Sequence, residues 1–240
     1  MPPPRALEPA GVALVDKPAG PSSFKLVAEL RRRTGARTGH AGTLDPFATG
    51  LLLLLSGWAT KLAPCFVGLD KRYVTEVDLT ARTSTGDPEG EIIERHEPPE
   101  WGELERRLAG LRGSVELPIP AASAVKVGGE RAYRLARRGV EVDMPLRRSQ
   151  VKALDVISYL GTEVTLDLRV SSGTYVRAIA EALGGHCRTL RRTEIGPFSV
   201  DEASTVANVA LVEPAGALRR LPTEALAQAP RDALSRAGLV

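Results

Sequence analysis

The sequence predicts an α+β fold, and three observations carry the prediction. Two stretches alternate as half-buried strands do: Tyr73, Thr75, Val77 and Leu79 face one way against Val74, Glu76, Asp78 and Thr80, and Val164, Leu166, Leu168 and Val170 face inward. Several other stretches carry helical signals, with serine or glycine at their ends. Strands and helices do not follow one another in a regular βαβ rhythm, so a doubly wound sheet fits less well. With 240 residues, 43% hydrophobic and 25% charged, the chain has the composition of a globular domain with a sizeable core.

Val12–Val15 reads as a short buried strand, closed by the Pro/Gly turn of "DKPAGPSS". Ser22 or Ser23 then caps a helix carrying Phe24, Val27, Leu30 and the triplet Arg31–Arg33, stopped near Gly35. Residues 36–48 are loop by composition. Leu51–Leu55 is too short for a typical helix and is bounded by Gly50 and Gly57, which predicts a fully buried strand. A helix follows over Thr60–Leu69. "EWGELERRLAGLRG" is an amphipathic helix ending at Gly110 or Gly113, and "TYVRAIAEALGG" is a helix with Gly184 as its stop. Residues 118–149 interrupt this regularity with Pro118, Pro120, Gly128 and Gly129, and read as an excursion holding a short basic helix, "RAYRLARRG". From Thr205 onward no strand pattern is visible.

Charge is unevenly distributed. The net charge is +3 and the pI about 9.0. Residues 131–152 hold seven basic and two acidic residues, whereas residues 87–105 hold eight acidic residues and one basic residue. A basic face and an acidic back, or two ordinary solvated faces, both fit this pattern. Two distant cysteines, Cys65 and Cys187, make neither a disulfide framework nor a CxxC metal site. His40, His96 and His186 lack metal-ligand spacing, so no metal is expected. No signal peptide and no span of about 20 apolar residues is present, which predicts a cytoplasmic protein without a membrane segment. The classic nucleotide-binding and serine-hydrolase motifs are absent from the sequence.

"GHAGTLDPFATGLLLLL", residues 39–55, places one carboxylate, Asp45, between a glycine-rich approach and a run of leucines. By residue type alone Asp45 is either a turn residue bonding nearby backbone N–H groups or a reactive group in a dry pocket.

"GHAGTLDPFATGLL" resembles the signature loop of the bacterial TruB family, the tRNA pseudouridine-55 synthases. Further resemblances follow in order: "VDKPAGPSS", "DKRYVTEVDLTARTSTGDPEGEI", "AASAVKVGGERAYRLARRGVEV", "SSGTYVRAIAEALG" and "LRRTEIGPFSV". They span residues 11–200. The resemblance implies a pseudouridine synthase fold, a bent and mostly antiparallel mixed sheet flanked by helices, with the 118–149 insertion gripping RNA. It implies a catalytic domain over residues 1–204 and a short tail over 205–240, too short and too poor in strands for a complete PUA domain. An RNA-guided archaeal or eukaryotic relative is expected to carry that domain.

The implied activity is conversion of uridine 55 in the tRNA T loop to pseudouridine, without a cofactor, membrane or obligate protein partner, by a monomer. Asp45 matches the nucleophile, and Arg177 the arginine that holds it ionised against desolvation. Tyr73 matches the aromatic that stacks on the target base; Tyr175 and Leu190 complete the uracil pocket. His40 matches the residue that enters the T loop when the base is flipped out. Lys17 and Lys126 match basic positions near the site and, with Arg134, Arg137 and Arg138, are expected at RNA phosphates. The rival is a non-catalytic tRNA-binding or folding protein on the same scaffold, which loss of Asp45, Tyr73 or Arg177 would have favoured; all three are present.

Overall fold

The computed structural model describes residues 9–123, 125–132, 138 and 143–239. It divides into two compact units, one formed by residues up to Lys71 together with those from Arg191 onward, the other by Arg72–Leu190.

The first unit is built around β1 (Gly11–Lys17), α1 (Ser23–Thr34), β2 (Thr38–His40), β3 (Thr49–Ser56), a 3-10 turn at Gly57–Leu62 and α2 (Ala63–Val67). β3 is central. β1 runs antiparallel along one edge, with Val15 opposite Leu52 and Lys17 opposite Gly50. β2 runs antiparallel to it with His40 opposite Leu54. Arg191 and Arg192 pair in parallel with Thr49 and Gly50. All five leucines of β3 are fully buried, as their run predicts. Leu51, Leu53 and Leu55 join a core with Leu62, Phe66, Phe198 and the tail residues Leu218 and Leu221. Leu52 and Leu54 point to the other face of the strand, and α1 packs on β2 and β3. Each buried leucine contributes about 2 kcal/mol relative to exposure.

The helix predicted over Thr60–Leu69 is split between the 3-10 turn and α2, with Pro64 in the first turn of α2. The predicted loop 36–48 contains β2, which its polar, glycine-bearing sequence conceals. The tail contributes short bridges instead of a strand. Val212 exchanges two backbone hydrogen bonds with Val12, at 2.8 and 2.9 Å, and three short helices follow.

The second unit comprises β4 (Lys71–Asp78), β5 (Ala81–Thr83), β6 (Ile92–Arg95), α3 (Trp101–Gly110), β7 (Gly113–Pro118), β8 (Lys126–Val127), β9 (Glu130–Arg131), β10 (Leu146–Tyr159), β11 (Glu163–Val170), α4 (Val176–Ala182) and the start of β12 (His186–Ile195). The strand order from β12 is β4, β11, β10, β7. Tyr73, Thr75 and Val77 are buried on one face of β4, and Val164, Leu166, Leu168 and Val170 on one face of β11, as their alternation predicts. β7 and β10 pair from Gly113↔Val151 to Pro118↔Leu146. This pairing takes both ends of the predicted 118–149 excursion into the sheet. Between them, β8 and β9 form a two-residue hairpin ladder, Lys126↔Arg131 and Val127↔Glu130.

Candidate active site

The Asp45 loop connects β2 to β3, and an extensive set of buried bonds holds its backbone. Ser22 caps α1, its Oγ accepting from the Lys25 N–H at 3.3 Å. This frees Ser23, whose Oγ donates to the Leu44 carbonyl at 2.8 Å and accepts from the Leu44 N–H at 2.9 Å. Gly20 N–H donates to Pro46 O at 2.8 Å, and Ala48 N–H to Asp45 O at 3.2 Å. Asp45 is therefore a turn residue through its carbonyl, while its side chain remains partly exposed.

Two buried cations complete the clamp. Lys17 is 0% exposed, and its Nζ donates to Pro18 O at 2.9 Å, Pro46 O at 2.9 Å and Ala48 O at 2.6 Å. Arg192 is 1% exposed; it donates from Nε to Leu51 O at 2.7 Å, from Nη1 to Thr43 O at 3.3 Å and from Nη2 to Gly42 O at 3.1 Å. Lys17 was expected at RNA phosphates. A fully buried ammonium with three carbonyl partners has no face to offer a phosphate, so in this structure it is part of the clamp. Gly50 (φ +100°) is required here: a Cβ would sit 2.8 Å from the Arg192 backbone nitrogen, and positive φ strains other residues.

The Arg192 charge also shapes its surroundings. His40 has its pKa lowered, first by burial and then by Arg192, and its Nδ1 is buried with no hydrogen-bond partner. The imidazole is neutral at pH 7. Burial, followed by Arg192, lowers Lys71 to about 8, with Asp70 opposing. Lys71 Nζ donates to Val67 O and Leu69 O, each at 2.6 Å.

In the second unit Arg177 stands in the first turn of α4, 2% exposed. It forms a buried ion pair with Asp87, Nη1 to Oδ2 3.3 Å, and donates from Nη1 to Thr85 O at 2.7 Å and from Nη2 to Ala122 O at 3.1 Å. Asp87 in turn accepts from Thr85 Oγ1 at 2.5 Å and Glu89 N–H at 3.0 Å. Glu181, one turn beyond Arg177, has its pKa raised by burial and by Asp87, opposed by Arg177 and Arg82. Sequence reading missed Asp87, Glu181, Ser23 and Arg192 as site residues. The first signal for Asp87 was present: it is the second Asp-Pro in a glycine-rich turn, "TGDPEG". Replacing Asp87 by Asn removes one carboxylate partner from a buried guanidinium, with an expected loss of about 3 kcal/mol measured by urea unfolding. Unchanged stability would show the pair to be dispensable.

Tyr73 is nearly buried on β4, Leu190 is buried on β12, and Tyr175 is the half-exposed residue preceding α4. Arg138 forms an exposed ion pair with Glu130 at 2.8 Å. Lys126 lies in β8 by its backbone. Its side chain, and Arg134 and Arg137, lie outside the described residues.

The first unit thus gathers Lys17, His40 and Asp45, and the second carries Tyr73, Tyr175, Arg177 and Leu190. Residues 30–176 match the model of the TruB family pseudouridylate synthases (N-terminal domain). The chain belongs to the TruB family. Relatives named tRNA pseudouridine synthase B agree with this. The one from Leifsonia xyli subsp. xyli is 43% identical over 225 residues, covering 87% of this chain and 74% of the relative. The one from Bordetella avium is 38% identical over 223 residues, covering 88% and 91%. Among solved structures, the Cbf5-Nop10-Gar1 complex contains a chain that matches with a TM-score of 0.64 at 26% identity, over 82% of this chain. The TruB-family chain spans about half of that longer chain, 53%. These matches bear out the α+β pseudouridine synthase fold.

Proposed function

We propose that this chain is an isomerase that converts uridine 55 in the T loop of tRNA to pseudouridine. The observation that carries the reading is the Asp45 loop of a TruB-family chain, clamped by Lys17, Ser23 and Arg192 while its carboxylate stays partly exposed. A nucleophile held on a fixed backbone meets its target without paying for ordering during the reaction. In the reaction the N1–C1′ bond of the nucleotide breaks, the uracil turns, and a C5–C1′ bond forms. The proton leaves C5 and N1 ends protonated, so no oxidant, reductant or cofactor is consumed. Asp45 serves by attack on the base, or by attack or elimination at the ribose. Arg177, fixed by Asp87, supplies the positive charge for the site, Tyr73 stacks on the base, and Tyr175 and Leu190 line the uracil pocket. His40, neutral and planar, fills the place of the flipped nucleotide. The protein acts as a monomer in the cytoplasm, its 1–204 region catalytic.

Arg134, Arg137 and Arg138, with Lys126, contact RNA phosphates. Replacing the three arginines by Ala is expected to weaken tRNA binding and to lower the slope of log K against log salt by up to about three. An unchanged slope removes the cluster from the footprint. The function itself is tested by incubating the protein with an unmodified tRNA and with an isolated T-arm hairpin, then mapping pseudouridine by position. Product at position 55 is expected with both RNAs; binding without product would leave a tRNA-binding or folding protein.

A further inference from the structure

α1 does two things at once. Through Ser23 its buried side holds Leu44 of the Asp45 loop. Its opposite side is largely exposed. Phe24 is 73% exposed, an unusual position for a phenylalanine. Phe24, Ala28, Arg31, Arg32 and Gly35 recur at helical spacing and, with Val27 and with Thr38 of β2, line one surface groove. Val27 forms its buried floor and Thr38 is partly buried; the others are exposed. The only acidic residue of α1 is Glu29, against Lys25, Arg31, Arg32 and Arg33, and exposed Arg37 follows beyond its end. Arg33 is engaged, donating to the Val206 carbonyl; Arg31 and Arg32 face solvent. β2, which forms the far wall, leads in two residues from Thr38 to His40.

We propose that this α1–β2 groove is a second RNA contact, which receives unpaired nucleotides of the substrate outside the loop that enters the active site. The inference rests on the tRNA reading above. An exposed aromatic ring offers a stacking platform for an unpaired base, and two guanidiniums offer phosphate contacts. Phe24 and Arg31 are seven helical residues apart, about 10 Å along the axis, or roughly three nucleotide steps. The charge excess suits a polyanion, and Thr38 of the groove stands two residues before His40, the residue placed in the T loop, on the same strand. One helix would then register the RNA flank and fix the catalytic loop.

The test compares the wild type with F24A and with R31A/R32A. The probes are a full unmodified tRNA and a 12-nucleotide single-stranded RNA, each titrated over a salt series. R31A/R32A is expected to weaken binding about tenfold or more and to lower the salt slope by about two. F24A is expected to weaken binding several-fold at an unchanged slope, because stacking releases no counterions. Both variants should keep the wild-type rate of pseudouridine formation at saturating tRNA, with a raised KM. Wild-type affinity and slope in both variants overturn the proposal. A reduced rate at saturation with unchanged affinity also overturns it, making this face only a support for the loop. A wild-type dimer dispersed by F24A at unaltered RNA affinity assigns the face to a second copy instead. If the wild type makes no pseudouridine, the function above fails, and the single-stranded probe still decides whether the groove binds RNA.

Discussion

Replacing Asp45 by Asn is expected to reduce pseudouridine formation by about 10,000-fold or more, the scale seen when a covalent nucleophile is removed. The loop should not change. Its backbone is held by other groups: Leu44 by Ser23, Pro46 and Ala48 by Lys17, and Gly42 and Thr43 by Arg192. Asn and Asp have nearly the same shape, so tRNA affinity should stay within a few-fold of the wild type. Single-turnover product formation and a parallel binding titration separate the two quantities. Full activity in the Asn variant would remove Asp45 from the role of nucleophile. A parallel loss of rate and affinity would instead place it in RNA binding.

Replacing Lys17 by Met has the second large effect, and it discriminates between two roles. A phosphate contact predicts weaker tRNA binding, a salt slope lower by about one and normal stability. A clamp predicts another pattern. The methionine occupies similar volume, but the carbonyls of Pro18, Pro46 and Ala48 lose a charged donor inside the protein. Buried carbonyls left unsatisfied cost about 1–3 kcal/mol each, so a total of about 3–5 kcal/mol is expected, part of it recovered by entering water. Turnover should fall along with stability, because Asp45 lies beside the released Pro46. The salt slope should stay at the wild-type value. Urea unfolding and salt-dependent binding read the two patterns separately, and a changed slope at unchanged stability would contradict the clamp.

What the sequence displayed and what it hid follow from the same physics. Leu51–Leu55 was legible as a wholly apolar run between glycines, Val164–Val170 because its apolar side chains keep a strict period of two, and Tyr73–Val77 because its inward positions keep that period despite the buried Thr75. β10 and β12 were not. "LRRSQVKALDVISY" and "HCRTLRRTEI" carry charged residues that mask any alternation; β10 also shifts register twice against its hairpin partner β11, and other partners of both strands lie in distant segments. In β12 the concealment is greatest at Arg192, which ordinary patterning assigns to a surface and which the structure buries against Leu51, Thr43 and Gly42. Lys17 is the same case. A lysine before a proline reads alike whether its ammonium meets a phosphate or three carbonyls. The Asp45 loop was legible as a motif but its support was not, since the clamp is assembled from residues 17, 23 and 192, far apart in sequence. Asp87 was hidden in plain view, because a turn aspartate and the counter-ion of a buried arginine have the same local sequence.

The most direct measurement uses a tRNA transcript labelled with tritium at C5 of its uridines. Forming pseudouridine releases the hydrogen from C5, so each isomerised uridine frees one label. The wild-type protein is expected to release one equivalent of tritium per tRNA, and none from a transcript with cytidine at position 55. Absence of release from the uridine-55 transcript, or equal release from both transcripts, would contradict isomerisation at position 55.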